Sequence, residues 1–197
     1  MKDDGAYQPY SYFQLMEVSL RELLVEKGVL TEEQVGAEVQ AMRGRTPERG
    51  ARVVAKAWVD EEFRKKLLQN GTLACESLGL ELPALKLVVV ENTADVHNVI
   101  VCTLCSCYPR MLLGIPPDWY KSGNYRSRMV REPRKVLAEF GLEIPLATTV
   151  RVHDSTADMR YIVLPKRPAG TEGWSEEKLA SIVTRDCMIG VAVPQIH

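Results

Sequence analysis

Apolar residues recur at helical spacing through the first part of the chain and give way to short β-branched runs after Pro83. Phe13, Leu15, Met16, Leu20, Leu23 and Leu24 fall at near-helical intervals behind Ser11, a residue type that caps helices, and Gly28 ends the run. Thr31-Glu32-Glu33-Gln34 has the capping-box pattern, in which Gln34 reaches back to the Thr31 backbone, and predicts a second helix to about Met42. Gly44-Arg45-Thr46-Pro47 breaks the pattern, and Pro47 suits the first turn of a third helix carrying Val53, Val54, Ala57 and Trp58. Asp60 caps a fourth, with Phe63, Leu67 and Leu68 on one face and Gly71 after its end.

Beyond Pro83 the period shortens. Leu85 to Val90 and Val96 to Val101 read as strands joined by a turn at Glu91-Asn92-Thr93. Pro109, Gly114, Pro116 and Pro117 mark a loop. Ser122 to Phe140 predicts a long helix, kinked or restarted at Pro133, with Gly141 beyond its end. Strands are expected near Val150 to His153 and Met159 to Leu164, and a last helix opens at Ser175-Glu176-Glu177 with acidic residues in its positive first turn. The expected fold class is α+β: a helical N-terminal arm over residues 1–82, then an α+β domain over residues 83–197 that carries the chemistry.

Composition narrows the classes of function. The chain has 197 residues, 46% of them hydrophobic and 26% charged, which suits a folded globular protein. A formal net charge of -1 gives no bulk electrostatic reason to bind nucleic acid or an acidic membrane. No apolar stretch approaches the roughly 20 residues needed to cross a bilayer. Met1-Lys2-Asp3-Asp4-Gly5 is polar, no apolar signal segment follows it, and the cytoplasm is the expected location.

The five cysteines are Cys75, Cys102, Cys105, Cys107 and Cys187, an odd number that argues against a disulfide framework. Three of them fall in Cys102-Thr103-Leu104-Cys105-Ser106-Cys107, directly after a predicted strand. A sharp turn there can aim three sulfurs at one ion, and thiolates select softer transition metals over magnesium or calcium. Structural zinc and iron–sulfur clusters are both readings of this spacing, although each normally takes four protein ligands. His97 precedes the cluster on the same predicted strand, while Cys75 and Cys187 are isolated and read as small buried core residues.

The segment Cys-Thr-Leu-Cys-Ser-Cys-Tyr, Cys102 to Tyr108, resembles the metal-binding claw of cobalt-type nitrile hydratase α subunits; iron-type members usually have Ser at the position of Thr103. The resemblance extends to Val53–Trp58, Glu91–Thr93, Val96–Val99, Pro116–Lys121, Val130–Arg134, Arg167–Thr171, Val183–Asp186 and Met188–Val191, and so covers most of the chain. It implies a layered α-β-β-α catalytic domain holding one low-spin Co(III), with iron the less favoured metal. Cys102 would be the axial thiolate, and Cys105 and Cys107 would bind in the plane with the backbone amides of Ser106 and Cys107. It further implies that Cys105 becomes a sulfinic and Cys107 a sulfenic acid, and that Cys105 and Cys107 take part in hydrating a nitrile to its amide. The attacking group would be the Cys107 sulfenate or a water beside it. Asp154 and Arg160 match polar residues that support the claw in the family, the alternative being an ordinary surface pair. A separate β-type subunit would supply arginines to the site and be gripped by the N-terminal helices, and a cobalt-insertion chaperone is a further implied partner.

One departure bears on substrate. Typical cobalt members continue Tyr-Pro-Trp-Pro, whereas this chain has Tyr108-Pro109-Arg110-Met111. Tyr108 and Arg110 would then line the pocket, and the Arg110 guanidinium suits a polar or anionic substrate. Alternatively Arg110 sits at a subunit interface. A claw followed by Arg is also similar to the metal subunit of thiocyanate hydrolase, as is Thr184-Arg185-Asp186-Cys187. A three-subunit nitrile hydratase acting on a large polar nitrile, as in the toyocamycin branch, accommodates both likenesses. A metal-storing or redox-sensing module without turnover is the alternative from outside the enzymes.

Overall fold

A computed structural model of the chain describes residues 11–82, 86–105 and 107–196. Contacts divide it into two units, residues 1–43 and 44–197. The change in residue character near Pro83, taken above as the boundary, falls well inside the second unit. The reason is packing: the helices of residues 47–76 bury their apolar faces on the strands and helices that follow them.

The first unit contains α1 (Tyr12–Glu26) and α2 (Glu32–Arg43). Ser11 and Gln14 form a reciprocal capping box, with the Ser11 N–H donating to Gln14 Oε1 at 2.8 Å and the Gln14 N–H to Ser11 Oγ at 3.4 Å. Thr31 and Gln34 repeat it at the start of α2. Neither helix buries a single residue within its unit. Tyr12 and Phe13 are 70% and 79% exposed, and Leu15, Met16, Leu20 and Leu23 are exposed as well.

The second unit opens with α3 (Pro47–Val59), α4 (Glu61–Gln69) and α5 (Gly71–Glu76). Pro47 occupies the first turn of α3, where its missing N–H costs nothing, and Val53, Val54 and Ala57 enter the core. Asp60 caps α4 through the Phe63 N–H at 2.9 Å. Gly71 opens a helix of its own instead of trailing the previous one, because Asn70 caps α5 through the Leu73 N–H at 3.1 Å. A Cβ at Gly71 would lie 2.7 Å from the Leu87 carbonyl oxygen, so glycine lets α5 approach the next strand.

Four strands follow: β1 (Lys86–Glu91), β2 (Val96–Val101), β3 (Thr149–Asp154) and β4 (Met159–Leu164). The predicted first strand began at Leu85, which lies outside the described residues. β1 pairs with β4 and β2 with β3, both parallel, giving two two-stranded sheets. β1 and β2, joined by a short connection, therefore belong to different sheets, as do β3 and β4, because parallel pairing requires long crossovers. The crossover from β2 to β3 holds α6 (Arg110–Leu113), α7 (Asp118–Lys121), α8 (Gly123–Arg131) and α9 (Pro133–Glu139). The long helix expected over Ser122–Phe140 restarts at Pro133, with Glu132 leaving helical geometry. After β4 come α10 (Glu176–Ser181) and α11 (Arg185–Ile189). α3 packs on α6, α10 and α11, α4 and α5 on β1, and α9 on β3, with β2 beside β4 between the helical layers. The chain is thus α+β, and its core includes Val99, Ile100, Val101, Ile162, Val163 and Leu164. No helix among the described residues is long and apolar enough to cross a membrane.

Candidate metal centre

β2 delivers the three clustered cysteines. Its residues Val99, Ile100 and Val101 are fully buried, so the chain emerges at Cys102 directly from the core. It then turns sharply. The Cys105 N–H lies 3.4 Å from Cys102 Sγ, and the Sγ atoms of Cys102 and Cys105 are 3.4 Å apart. Cys105 Sγ and Cys107 Sγ are 3.1 Å apart, and all three sulfurs fall within 4.8 Å of one another. None of the five cysteines is in a disulfide.

These separations test what could sit among the sulfurs. Two thiolates each about 2.3 Å from one ion are about 3.8 Å apart in a tetrahedron and about 3.3 Å apart at a right angle. The observed 3.4 and 3.1 Å place the sulfurs close enough to share one ion, and thiolates suit softer transition metals. The exposure is graded: Cys102 is buried, Cys107 intermediate and Cys105 exposed, so the cluster is anchored inside and open to solvent outside. With three thiols crowded together, burial first and then hydrogen bonds to Cys105 and Cys102 push the Cys107 thiol up to about 12. The residues present therefore fit a thiophilic cation. Ser106, whose backbone amide was expected to complete the ligand set, lies outside the described residues.

The surroundings hold the turn in place. β3 ends beside β2, with Val101 paired to Asp154. The Asp154 carboxylate accepts the Thr103 N–H at 2.9 Å and the Thr103 hydroxyl at 2.5 Å. Arg160, on β4, donates to the carbonyls of Thr156 and Ala157, and its positive charge opposes the rise of the Cys107 thiol. Asp154 thus bonds the cysteine turn directly, whereas Arg160 bonds the loop between β3 and β4 and reaches the cluster through its charge. Among the described residues no ion pair joins them.

His97 does not turn to the sulfurs. Its ring nitrogens contact the Gly190 carbonyl at 2.7 Å and Asn92 Nδ2 at 3.3 Å, at the far end of β2. Cys75 and Cys187 are buried core residues that are not part of the cluster, and burial pushes the Cys75 thiol up to about 12.

A family model for the nitrile hydratase α chain matches residues 11–192. The chain belongs to that family. The cobalt-containing nitrile hydratase subunit alpha of Pseudonocardia thermophila is 52% identical over 176 residues, covering 88% of this chain and 86% of that one. Among solved structures, a recombinant thiocyanate hydrolase with partially modified cobalt centres aligns with a TM-score of 0.89 at 45% identity, covering 95% of this chain and 92% of that one. A double mutant of the Fe-type nitrile hydratase of Comamonas testosteroni Ni1 aligns with the same TM-score at 46% identity and the same coverage.

The two residues expected to line a nitrile hydratase substrate pocket separate in the structure. Arg110 is exposed at the start of α6. Tyr108 is 4% exposed, its ring 5.1 Å from that of Tyr120, and its hydroxyl has no hydrogen-bond partner among the described residues. Three residues that spacing did not single out also touch the claw segment. The Tyr120 hydroxyl donates to the Cys107 carbonyl at 2.9 Å, the Tyr125 hydroxyl to the Ile100 carbonyl at 2.8 Å, and Arg126 Nη1 to the Thr103 carbonyl at 3.2 Å. Tyr120 fell within the resembling segment Pro116–Lys121, whereas nothing in the spacing marked Tyr125 or Arg126.

Proposed function

We propose that this chain is the metal-holding catalytic subunit of a nitrile hydratase, converting R–C≡N and water to R–C(O)NH₂ at a low-spin Co(III) centre. The grouping of Cys102, Cys105 and Cys107 within 4.8 Å, buried at one end and open at the other, carries the reading. In it, the sulfurs of Cys102, Cys105 and Cys107 would hold the ion together with the backbone amides of Ser106 and Cys107. The cobalt named for the Pseudonocardia relative supports cobalt, and the likeness to an Fe-type structure makes iron the second choice. When bound, the trivalent ion supplies Lewis acidity that draws electrons from the nitrile carbon.

The chain's own groups do the rest. Cys105 works as the sulfinate and Cys107 as the sulfenate. The Cys107 sulfenate oxygen forms the bond to the nitrile carbon, and the nitrile nitrogen takes the electron pair and a proton. Water then replaces that oxygen, its second proton completes the amide, and the sulfenate is restored. Asp154 holds the turn through Thr103, and the Arg160 charge favours the anionic form of Cys107. Arg110, exposed just beyond Tyr108, selects polar substrates, and Tyr108 backs the pocket from the core.

The exposed apolar face of α1 supports a β-type partner subunit that contributes arginines to the site, and a cobalt-insertion chaperone would load it. Thiocyanate hydrolysis is the second reading, favoured by Arg110 and by the likeness to a thiocyanate hydrolase structure. The test is metal analysis and intact mass on chain purified from cobalt-supplemented cells, followed by assays on nitriles and thiocyanate. About one cobalt per chain, a mass gain of three oxygens on the claw peptide and amide formation are expected. Stoichiometric zinc with unmodified cysteines would overturn the proposal.

A further inference from the structure

Three hydrogen bonds to the claw segment share an arrangement. Each acceptor is a backbone carbonyl, at Ile100, Thr103 and Cys107, so the bonds bracket the cysteine turn at its start, middle and end. Each donor is a side chain from one short stretch, Tyr125, Arg126 and Tyr120. That stretch is itself fixed. Ser122 caps α8 through the Tyr125 N–H at 3.1 Å, and the Trp119 ring packs edge-on against Tyr125 and Phe140 at 4.9 and 4.7 Å. Tyr120 is fully buried and Tyr125 nearly so, so neither hydroxyl has bulk water as a substitute partner.

We propose that the segment 120–126 is a clamp that shapes the claw backbone from behind, so that the three sulfurs converge before any metal arrives. The inference rests on the claw being the metal site, but the clamp is made entirely of chain atoms. A turn of this kind, left to itself, has many conformations, and ordering it on metal binding would subtract from affinity. Tying the Thr103 and Cys107 carbonyls of the turn, and the Ile100 carbonyl of the strand that leads into it, to side chains of one packed segment removes that cost in advance. Tyr120, Tyr125 and Arg126 are positioning residues: they act on the backbone of the turn and contact no substrate in this role. The side chains of Asp154 and of the clamp divide the work, since Asp154 takes the donors of Thr103 and Arg126 its carbonyl.

The experiment compares the full metal-free chain with Tyr120→Phe and Tyr125→Phe, which remove one oxygen each and keep the rings. Iodoacetamide labelling is followed cysteine by cysteine through peptide mass spectrometry, with Cys75 and Cys187 as buried references. Cys102 and Cys107 are expected to react about tenfold faster in Tyr120→Phe, with the references unchanged. Equal rates at all cysteines, or the same acceleration at all of them, would overturn the clamp, the second result marking a merely structural role. Should Tyr120→Phe fail to fold, Tyr125→Phe and Arg126→Gln provide the same comparison. Cobalt uptake by the unmutated chain is measured beside it. No cobalt there defeats the metal-site reading, whereas normal uptake and an unchanged sulfur-to-cobalt absorption band in every variant defeat the clamp alone.

Discussion

Asp154 holds Thr103 by both of its donors, the backbone N–H at 2.9 Å and the hydroxyl at 2.5 Å. The contact spans 51 residues and exists because β3 ends level with β2, Asp154 opposite Val101. Asp154→Ala leaves the Thr103 N–H without its acceptor at the first residue of the turn. The expected result is a loss of about 1 kcal/mol, since the site is partly exposed to water. Cobalt should also leave faster on dialysis. Thr103→Ser keeps both bonds and should behave like the parent. Denaturant titration and metal analysis after dialysis check both; parental stability and retention in Asp154→Ala would refute the role.

Replacing the clustered cysteines should separate them from the rest. Cys102→Ala, Cys105→Ala and Cys107→Ala are each expected to reduce bound cobalt below stoichiometry and abolish hydration. Cys75→Ala should keep the metal while losing about 1 kcal/mol through a small core void. Cobalt per chain and amide formation from a nitrile are the readouts. A Cys107→Ala variant with undiminished turnover would eliminate the nucleophile assigned above.

Arg110→Trp should move the preference from polar or anionic substrates toward apolar nitriles, by about tenfold in the ratio of kcat/KM values. The side chain is exposed, so the substitution should leave the thermal midpoint almost unchanged. An unaltered ratio would place Arg110 at an interface.

His97 and His153 are held below their ordinary range, in each case chiefly by burial; the Gly190 carbonyl partly offsets this for His97, and Arg151 adds to it for His153. Both are neutral in the fold and gain protons more readily when unfolded. Their contribution to stability is therefore complete above the unfolded value of about 6.5 and is lost as the pH falls toward the lower folded values. Unfolding midpoints should drop between pH 7 and pH 5, and His97→Gln should flatten that dependence. A midpoint that is flat in the parent would contradict the assignment.

Gly190 has a φ of 93°, and a Cβ there would overlap the Asn98 carbonyl oxygen. Its own carbonyl receives His97 at 2.7 Å. Gly190→Ala is expected to cost about 2 kcal/mol or more, from a disfavoured backbone and a shifted β2. Calorimetry measures it, and a change below about 0.5 kcal/mol would mean the C-terminal turn can yield.

Much of the helical part was legible because its signals are local. Ser11, Thr31, Asp60 and Ser175 each cap a helix a few residues away, and the structure has all four caps. α5 was missed because Asn70-Gly71 has the look of a helix stop; the Asn70 side chain and the close approach of Gly71 to Leu87 make it a start. α6 and α7 were hidden in a loop dense with proline, where short helices leave no periodic trace. Contacts group residues 44–82 with the strands that follow, a relation between distant segments that residue character does not carry.

By itself the sequence determined the caps, the strand that leads into the cysteines and the crowding of three thiols into six residues, all relations within a few positions of chain. Tertiary structure alone decided which strands pair and in what register, because parallel pairs join segments far apart and any apolar strand satisfies the pattern. It is that register which places Asp154 beside Thr103. The same long crossover brings Tyr120 and Tyr125 back beneath the claw, 13 and 25 residues from the carbonyls they hold. No local spacing encodes such distances; they follow from burying the β2 face and the aromatic layer in a single core.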